Sequence, residues 1–383
     1  MENKEARLFE AIEKAAIDMY GKDKTMRIDN VEIKNFLVFK GCFSCDFCPG
    51  TNVIIGGNGT GKTTLLKVMY ALCEHSSESA IGNSPVFLAD YFLSSRGAKK
   101  RDFYRSIYES QGVGRVGSGE YAFYWFYEAE NENPFFGMSF ENRPISEDNN
   151  PHDNIFHNRR MMKAVYIPTM EMLSHSEGFL ALCHERKMPF DETQIDILSK
   201  AELPEMHELP VAAGRIMEKI SGIIEGTIVY EKDVFYVKKN NGKTIPFSLE
   251  ASGYQKFGLL WKLLHNGLLD SGHILLWDEP EESINPELMP ALVDILLELC
   301  RNGVQIFIAT HSSNLAQLFD IKRANGDSLL FCNLSKNSDD TIRCDSAENY
   351  SDLRKSVLEE ADEALYRAVV ARAMGVEADD RRL

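Results

Sequence analysis

The stretch Asn52-Val-Ile-Ile-Gly-Gly-Asn-Gly-Thr-Gly-Lys-Thr-Thr-Leu-Leu66 decides how this chain folds. Within it, residues 56–63 fit the pattern G-x-x-x-x-G-K-[ST], which in proteins cradles phosphate groups. The β-branched run at 53–55 predicts a buried strand before the loop. Apolar residues after the loop predict a helix that begins there. Strand, glycine loop and helix start are the context that this motif requires, so an ordinary glycine turn before a helix is disfavoured.

The chemistry of this loop is that of a triphosphate site. Glycines let backbone N–H groups converge on phosphate oxygens, and the helix N-terminus adds partial positive charge. Lys62 supplies a point charge for the β- and γ-phosphates, and the hydroxyl of Thr63 is placed to bind Mg²⁺. We therefore predict ATP and Mg²⁺ as cofactors, with nucleotide contacts from Gly56, Gly57, Asn58, Gly59, Thr60, Gly61, Lys62, Thr63 and Thr64.

Length and charge limit the function classes. The chain has 383 residues, enough for two or three domains or for one large domain with an insertion. Its net charge of −16 argues against a surface built for non-specific nucleic-acid binding. The N-terminus has no apolar signal segment, and no apolar run approaches the ~20 residues of a membrane helix. We expect a cytoplasmic protein without membrane contact.

Three of the eight cysteines, Cys42, Cys45 and Cys48, follow a C-x₂-C-x₂-C spacing. This spacing resembles part of an iron–sulfur motif. However, the next cysteine is Cys73, inside the predicted helix after the phosphate loop. Reduced thiols on or near a strand are therefore the favoured interpretation.

The order of patterns along the chain suggests four parts. Residues 1–25 hold an amphipathic helix, which either packs on the main domain or docks a partner or a second copy. Residues 26–86 and 161–340 form the main domain, 87–160 an insertion, and 341–383 a helical tail. Two strands are predicted ahead of the phosphate-loop strand. Phe36 and Phe39 lie there and either stack on adenine or belong to the core.

The insertion combines basic and aromatic residues. A probable hairpin covers about 120–128 and 135–140, and its flanking acids would repel phosphates. Single-stranded nucleic-acid platforms use such a mixture, but so does an ordinary sheet with a solvated rim. Nucleic-acid binding is thus an open alternative, and it would involve the basic cluster Arg96, Lys99, Lys100, Arg101 and Arg105.

Two further strands end in candidate catalytic residues. The apolar run from His273 ends in Asp278 and Glu279. A strand end can direct Asp278 at the Mg²⁺ that Thr63 holds, and Glu279 can then act on the attacking water. The run 304–311 ends in His311, which can reach a γ-phosphate if the two strands are neighbours. Glu171 is either a γ-phosphate sensor or a surface acid at a helix start.

Taken together, these motifs resemble the ABC-type ATPase heads of the SMC, RecF and OLD branch. In that resemblance, residues 56–63 are the Walker A motif, 274–279 the Walker B motif, 283–286 the D-loop and His311 the switch histidine. The segment 251–255 is similar to the L-S-G-G-Q signature but departs from it at Ala251 and Tyr254. Overall, the chain is similar to compact bacterial AAA-type ATPases found in anti-phage defence operons.

The resemblance implies an α/β fold, a P-loop ABC-type ATPase head with a mixed sheet flanked by helices and an α+β insertion. It implies slow ATP hydrolysis with Glu279 and His311 as catalytic residues and with Thr63 and Asp278 at the metal. The signature residues Ser252, Gly253 and Gln255 would contact ATP held by a second copy.

The implied partners are a homodimer or higher homo-oligomer and a separately encoded effector, with a nuclease as one candidate. A RecF-like DNA-repair ATPase and a non-hydrolysing binding module are the alternatives. Salt-sensitive DNA binding would favour the RecF-like DNA-repair ATPase.

Overall fold

A computed structural model describes residues 27–75, 91–92, 111–118, 121–128, 135–141, 162–186, 188–206, 208–353, 366–370 and 372–374. The predicted N-terminal helix, the basic cluster at 96–105 and most of the predicted tail helix lie outside these residues. Within them, no helix is both long and apolar enough to cross a membrane.

The strands are β1 (Asn30–Phe36), β2 (Phe39–Asp46), β3 (Thr51–Gly56), β4 (Gln111–Ser118), β5 (Tyr121–Glu128), β6 (Phe135–Glu141), β7 (Lys163–Ile167), β8 (Gly226–Glu231), β9 (Val234–Lys239), β10 (Thr244–Pro246), β11 (His273–Asp278), β12 (Gln305–Thr310), β13 (Leu329–Lys336) and β14 (Ile342–Ala347). The helices are α1 (Lys62–His75), α2 (Phe179–Glu185), α3 (Glu192–Ala201), α4 (Val211–Ile224), α5 (Ser252–His265), α6 (Met289–Arg301) and α7 (Ser313–Lys322).

The central sheet has six strands in the order β14-β13-β3-β12-β11-β7. Its neighbours pair in parallel, except that β14 is antiparallel to β13. Every residue of β3, β11 and β12 is buried, because helices or a second sheet cover both faces. The carboxyl ends of these three strands therefore meet at one edge of the sheet.

The central sheet separates two hydrophobic cores. Side chains that alternate along each strand point to opposite faces. Ile54, Leu276 and Phe307 pack with α1, β1 and β2 on one face. Val53, Leu275, Trp277 and Ile306 pack with α3 to α7 on the other. The fold is thus the α/β architecture that the motifs predicted.

The predicted insertion shares a sheet with the strands before the phosphate loop. The antiparallel order is β2-β1-β4-β5-β6, and β4 pairs with β1. β5 and β6 are the predicted hairpin, whereas β4 was not predicted. Its sequence, QGVGRVGS, is rich in glycine and lacks the apolar alternation that indicates a strand. A third sheet, β10-β9-β8, is also antiparallel.

The predicted helical tail begins differently from the expectation. Residues 342–347 form β14, which is antiparallel to β13 and extends the central sheet. Only one residue of β14, Ile342, is buried, so the strand carries little apolar signal. Pairing with β13 across a short turn, rather than local hydrophobic pattern, makes this segment a strand.

Gln305 connects the central sheet to the segment that enters β1. Its buried side-chain amide accepts from the N–H of Ile28 at 2.8 Å and donates to the carbonyl oxygens of Ile28 at 2.7 Å and Cys48 at 2.9 Å. Ile28 is fully buried, so no solvent can replace the amide at its N–H and carbonyl groups. The side chain thus fixes the second sheet against the start of β12.

We expect Gln305→Leu to lower the free energy of unfolding by about 2–4 kcal/mol, because buried backbone groups would lose their partner. Urea denaturation measures this loss. Gln317→Leu, on the exposed face of α7, is the matched control and should change stability by less than about 0.5 kcal/mol. Equal stability of both variants would contradict the role given to Gln305.

Candidate functional site

The loop between β3 and α1 needs glycine at two positions. Gly61 has φ +93°, and a Cβ there would lie 2.7 Å from the side chains of Val38 and Phe39. A Cβ on Gly56 would lie 2.6 Å from the carbonyl oxygen of Leu334. The loop is therefore held tightly between β2 and β13, and its backbone keeps one shape.

Lys62 lies folded against this loop. Its Nζ donates to the carbonyl oxygens of Gly56 at 2.7 Å and Gly57 at 3.2 Å. Burial lowers the pKa of the Lys62 ammonium, and the nearby acids Glu279, Asp278 and Glu281 raise it. Neighbouring carboxylates thus support a positive charge at the mouth of the glycine loop.

Thr63 and Asp278 meet although 215 residues separate them. The Thr63 hydroxyl donates to Oδ2 of Asp278 at 2.9 Å, and the Tyr166 hydroxyl lies 3.4 Å from the same oxygen. Parallel pairing of β3, β12 and β11 places both residues at the carboxyl edge of the sheet. This is the proximity that a shared cation requires.

The oxygen set fits Mg²⁺. Asp278 is 4% exposed, and its Oδ1 accepts no hydrogen bond from any described residue. Burial raises the pKa of this carboxyl, while the hydrogen bond from Thr63 lowers it. A buried carboxylate oxygen without a donor is costly unless a cation or a donor reaches it. Carboxylate and hydroxyl oxygens are ligands that Mg²⁺ prefers.

Glu279 and His311 form a second pair at the same edge. Nδ1 of His311 lies 3.0 Å from Oε1 of Glu279, and both side chains are partly exposed. Glu279 adopts φ +50°, in the left-handed region, and its N–H donates to the carbonyl oxygen of Ala309 at 2.8 Å. The bond to β12 holds this backbone and directs the carboxylate toward His311.

Glu281 is a further acid at this edge, partly buried, that the sequence did not single out. Its Oε1 accepts from the hydroxyl of Thr310 at 2.5 Å and from the backbone N–H of His311 at 3.3 Å. It therefore fixes the turn that carries His311. The sequence places four acids at 278, 279, 281 and 282, and nothing in it indicates which of them points inward.

The signature-like segment is the start of α5. The exposed Ser252 directs its hydroxyl at the carbonyl oxygen of Ser283, 3.4 Å away, and a Cβ on Gly253 would lie 3.4 Å from that oxygen. The buried Gln255 side chain donates to Ser174 at 3.1 Å and to the carbonyl oxygen of Phe247 at 2.8 Å. The Gln255 amide is thus engaged within its own chain and buried, whereas the Ser252 side chain is exposed.

Lys256 joins this segment to the acidic turn. The sequence motifs did not indicate this lysine as part of the site. Its buried Nζ donates to the carbonyl oxygens of Glu279 at 3.0 Å and Pro280 at 3.3 Å. Burial lowers the pKa of this ammonium to about 8, although nearby carboxylates raise it. The only signal in the sequence was a lysine next to the signature-like motif. A displacement of α5 would therefore act directly on the backbone of Glu279.

Two alternatives are decided by the structure. Phe36 and Phe39 are both fully buried, so they belong to the core and neither is free to stack on adenine. Glu171 accepts backbone N–H bonds from Leu173 at 2.6 Å and Ser174 at 3.1 Å. Both of its carboxylate oxygens cap a short 3₁₀ turn, which agrees with the helix-start interpretation.

Comparisons with known proteins support the class. Residues 51–316 match the family described as "AAA domain, putative AbiEii toxin, Type IV TA system". The chain belongs to this family of AAA/ABC-type ATPase domains. The arginine transport ATP-binding protein ArtP of Haemophilus influenzae is 35% identical over 71 residues, which are 18% of this chain and 28% of that relative. The chain thus spans about a quarter of that relative's length.

Solved SMC heads are similar in shape at low identity. One bound to the C-winged helix domain of ScpA covers 85% of this chain and 98% of its own, with TM-score 0.48 and 11% identity. The SMC head domain from Thermotoga maritima covers 84% and 100%, with TM-score 0.45 and 13% identity. An Smc head from Pyrococcus furiosus covers 89% and 99%, with TM-score 0.47 and 12% identity.

The left-handed backbone at Glu279 gives a stability prediction. We expect Glu279→Gly to be more stable than Glu279→Gln by roughly 0.5–1 kcal/mol, because glycine adopts positive φ without a steric cost. Both variants lose the charge, so the difference between their stabilities reports on the backbone conformation at residue 279. Chemical denaturation provides the measurement.

The same pair of substitutions at Glu282 serves as the control. Glu282 is exposed and is not among the positive-φ residues, so its glycine variant should be the less stable one. The same order of stability at both positions would count against strain at Glu279.

Proposed function

We propose that this chain binds ATP with Mg²⁺ and hydrolyses it, and that a second copy completes the site. The observation that carries this proposal is the hydrogen bond of 2.9 Å between Thr63 and Asp278. It joins a glycine loop suited to phosphates to an acidic strand end. Both predicted catalytic residues, Glu279 and His311, lie at that same edge.

Each residue has a role that follows from its contacts. Lys62 exchanges the loop carbonyls for the β- and γ-phosphate oxygens, because a phosphate is the stronger acceptor. The Thr63 hydroxyl and the Asp278 carboxylate hold Mg²⁺, which neutralises phosphate charge when it is bound. The loop N–H groups and the start of α1 orient the triphosphate.

Glu279 is the general base in this proposal. Its carboxylate accepts a proton from the water that attacks the γ-phosphate. His311 donates from Nδ1 to the Glu279 carboxylate, 3.0 Å away, and so fixes it. In the imidazolium form, its other ring nitrogen donates to the phosphate as well. Glu281 and Lys256 position the two backbones from either side.

The second copy enters through α5. Ser252 is exposed at the start of this helix, where backbone N–H groups are available to an anion. Gln255 is engaged within its own chain, which narrows the proposed contact to Ser252 and the N–H of Gly253. Lys256 then links contact with a second copy's nucleotide to the backbone of Glu279. Two ATP molecules would thus be enclosed in a two-fold dimer.

A mixing experiment tests the composite site. Lys62→Ala should abolish ATP binding, Ser252→Arg should block closure, and each variant alone should lose hydrolysis. Mixed in equal amounts, they should regain about a quarter of wild-type ATPase activity, because about half of the dimers are mixed and each has one intact site. Steady-state phosphate release measures the activity. Mass measurement should show an ATP-dependent dimer for Glu279→Gln.

Two controls make this test specific. Lys238→Ala and Ser338→Arg alter exposed residues and should retain wild-type activity. Normal ATP affinity in Lys62→Ala would contradict the nucleotide site. Full activity of Ser252→Arg alone would contradict the trans contact but leave the nucleotide site intact.

We further propose that the ATP-driven dimer acts as a sensor or scaffold that controls a separately encoded effector in anti-phage defence. The family description, "AAA domain, putative AbiEii toxin, Type IV TA system", supports this proposal. ATP binding that closes a dimer, and hydrolysis that releases it, would provide the two states that such control needs.

A plaque assay tests this role. Bacteria that carry the native locus should form fewer plaques under phage challenge than bacteria without it. Glu279→Gln and Lys62→Ala should change that protection by at least about tenfold if the nucleotide state controls the effector. The Lys238→Ala locus should protect like wild type. Unchanged protection in both site variants would exclude control by ATP.

A further inference from the structure

Three cysteines from distant parts of the sequence converge at the edge of the central sheet. Cys45 lies on β2, Cys332 on β13 and Cys344 on β14. Their sulfur atoms all lie within 4.8 Å of one another, and those of Cys45 and Cys344 are 3.0 Å apart. We call these three residues the thiol cluster. Its members have no role in the proposed ATPase site.

Strand register explains why the three side chains face one another. Cys332 is opposite Ser346 in the antiparallel pair, and Leu334 is opposite Cys344. Cys332, Cys344 and Ser346 therefore lie on one face of the sheet. β2 packs against β14 from that side, and its buried positions alternate so that Cys45 faces inward. Of the C-x₂-C-x₂-C segment, only Cys45 takes part.

Cys42 and Cys48 are placed differently. Cys42 is exposed, and the thiol of Cys48 donates to the carbonyl oxygen of Thr51 at 3.4 Å. The segment at 42–48 therefore does not form a metal motif by itself. The fold instead brings Cys45 next to Cys332 on β13 and Cys344 on β14, which are nearly 300 residues away from it in the sequence.

The three members of the thiol cluster differ in their exposure to solvent. Cys45 is 3% exposed and Cys332 is fully buried, whereas Cys344 is only partly buried. The Ser346 hydroxyl lies 3.5 Å from the sulfur of Cys344 and 3.9 Å from that of Cys332. The exposed Ser346 thus brings an oxygen donor next to two of the three sulfurs.

We propose that Cys45, Cys332 and Cys344 bind a thiophilic divalent cation of the Zn²⁺ class, with an oxygen at the fourth position. Three sulfurs and one oxygen donor provide the four ligands that Zn²⁺ takes in proteins. Soft thiolates select such cations over Mg²⁺. The three thiols release their protons to solvent as they bind the cation. The Ser346 hydroxyl or a water supplies the oxygen.

A cation bound at this site would connect two sheets of the fold. The cation would fasten β2, in the second sheet, to β13 and β14 of the central sheet. β2 begins at Phe39, whose ring packs against Gly61 of the phosphate loop. A bound cation therefore stabilises the sheet that supports this loop. It adds its binding free energy to folding, because the unfolded chain has no preformed site.

Cobalt substitution tests the site directly. The full chain is purified under reducing conditions, its zinc is measured by elemental mass spectrometry, and the chelated protein is then titrated with Co²⁺. We expect one equivalent to bind and to give the thiolate-to-metal charge-transfer absorption of a sulfur-ligated cation. Cys332→Ser and Cys344→Ser should lose that absorption, and Cys42→Ser should retain it.

A second readout does not depend on absorption. Zn²⁺ should raise the melting temperature of the chelated wild type and of Cys42→Ser, and it should not change that of Cys344→Ser. Cys344 is the least buried member, so its serine variant serves if Cys332→Ser fails to fold. Absence of sulfur-ligated Co²⁺ in the reduced wild type would overturn the proposal. A Cys45–Cys344 disulfide as the state that persists under reducing conditions would also overturn it.

Discussion

The parallel pairing of β3, β12 and β11 is the constraint on which the rest of the structure depends. Parallel strands end at the same edge, so residues at the ends of separate strands become neighbours. The phosphate loop follows β3, the acidic pair ends β11, and His311 follows β12. Full burial of the three strands keeps this edge in one arrangement. The hydrogen bond between Thr63 and Asp278 is its direct consequence.

Around that edge, polar contacts hold the backbones of Glu279 and His311 from several sides. Glu281 binds the turn of His311, and Lys256 binds the turn of Glu279. Lys256 is buried, so its charge is tolerated only because its partners are in place. Because Lys256 follows the signature-like segment on α5, it connects the contact proposed for a second copy to Glu279, the proposed general base. Contact with a second copy at α5 would thus act on the position of Glu279 through Lys256.

Prediction from the sequence succeeded where local pattern and chemistry agree. The phosphate loop, the strand that ends in Asp278 and the strand before His311 each combine a buried apolar run with polar residues at its end. It failed where pairing partners decide the structure. β4 is rich in glycine and β14 is mostly exposed, so neither shows apolar alternation. Phe36 and Phe39 looked available to a base, and only packing shows that they are core.

The sequence by itself determined the class of fold and the residue types of the nucleotide site, because a phosphate loop needs glycines, a lysine and a hydroxyl at fixed spacing. The tertiary structure alone decided which acids face inward, which lysine supports Glu279, and that Cys45 meets Cys332 and Cys344 rather than Cys42 and Cys48. The physical reason is that such contacts depend on strand order and register. Those are set by burial across the whole sheet and not by neighbours in the sequence.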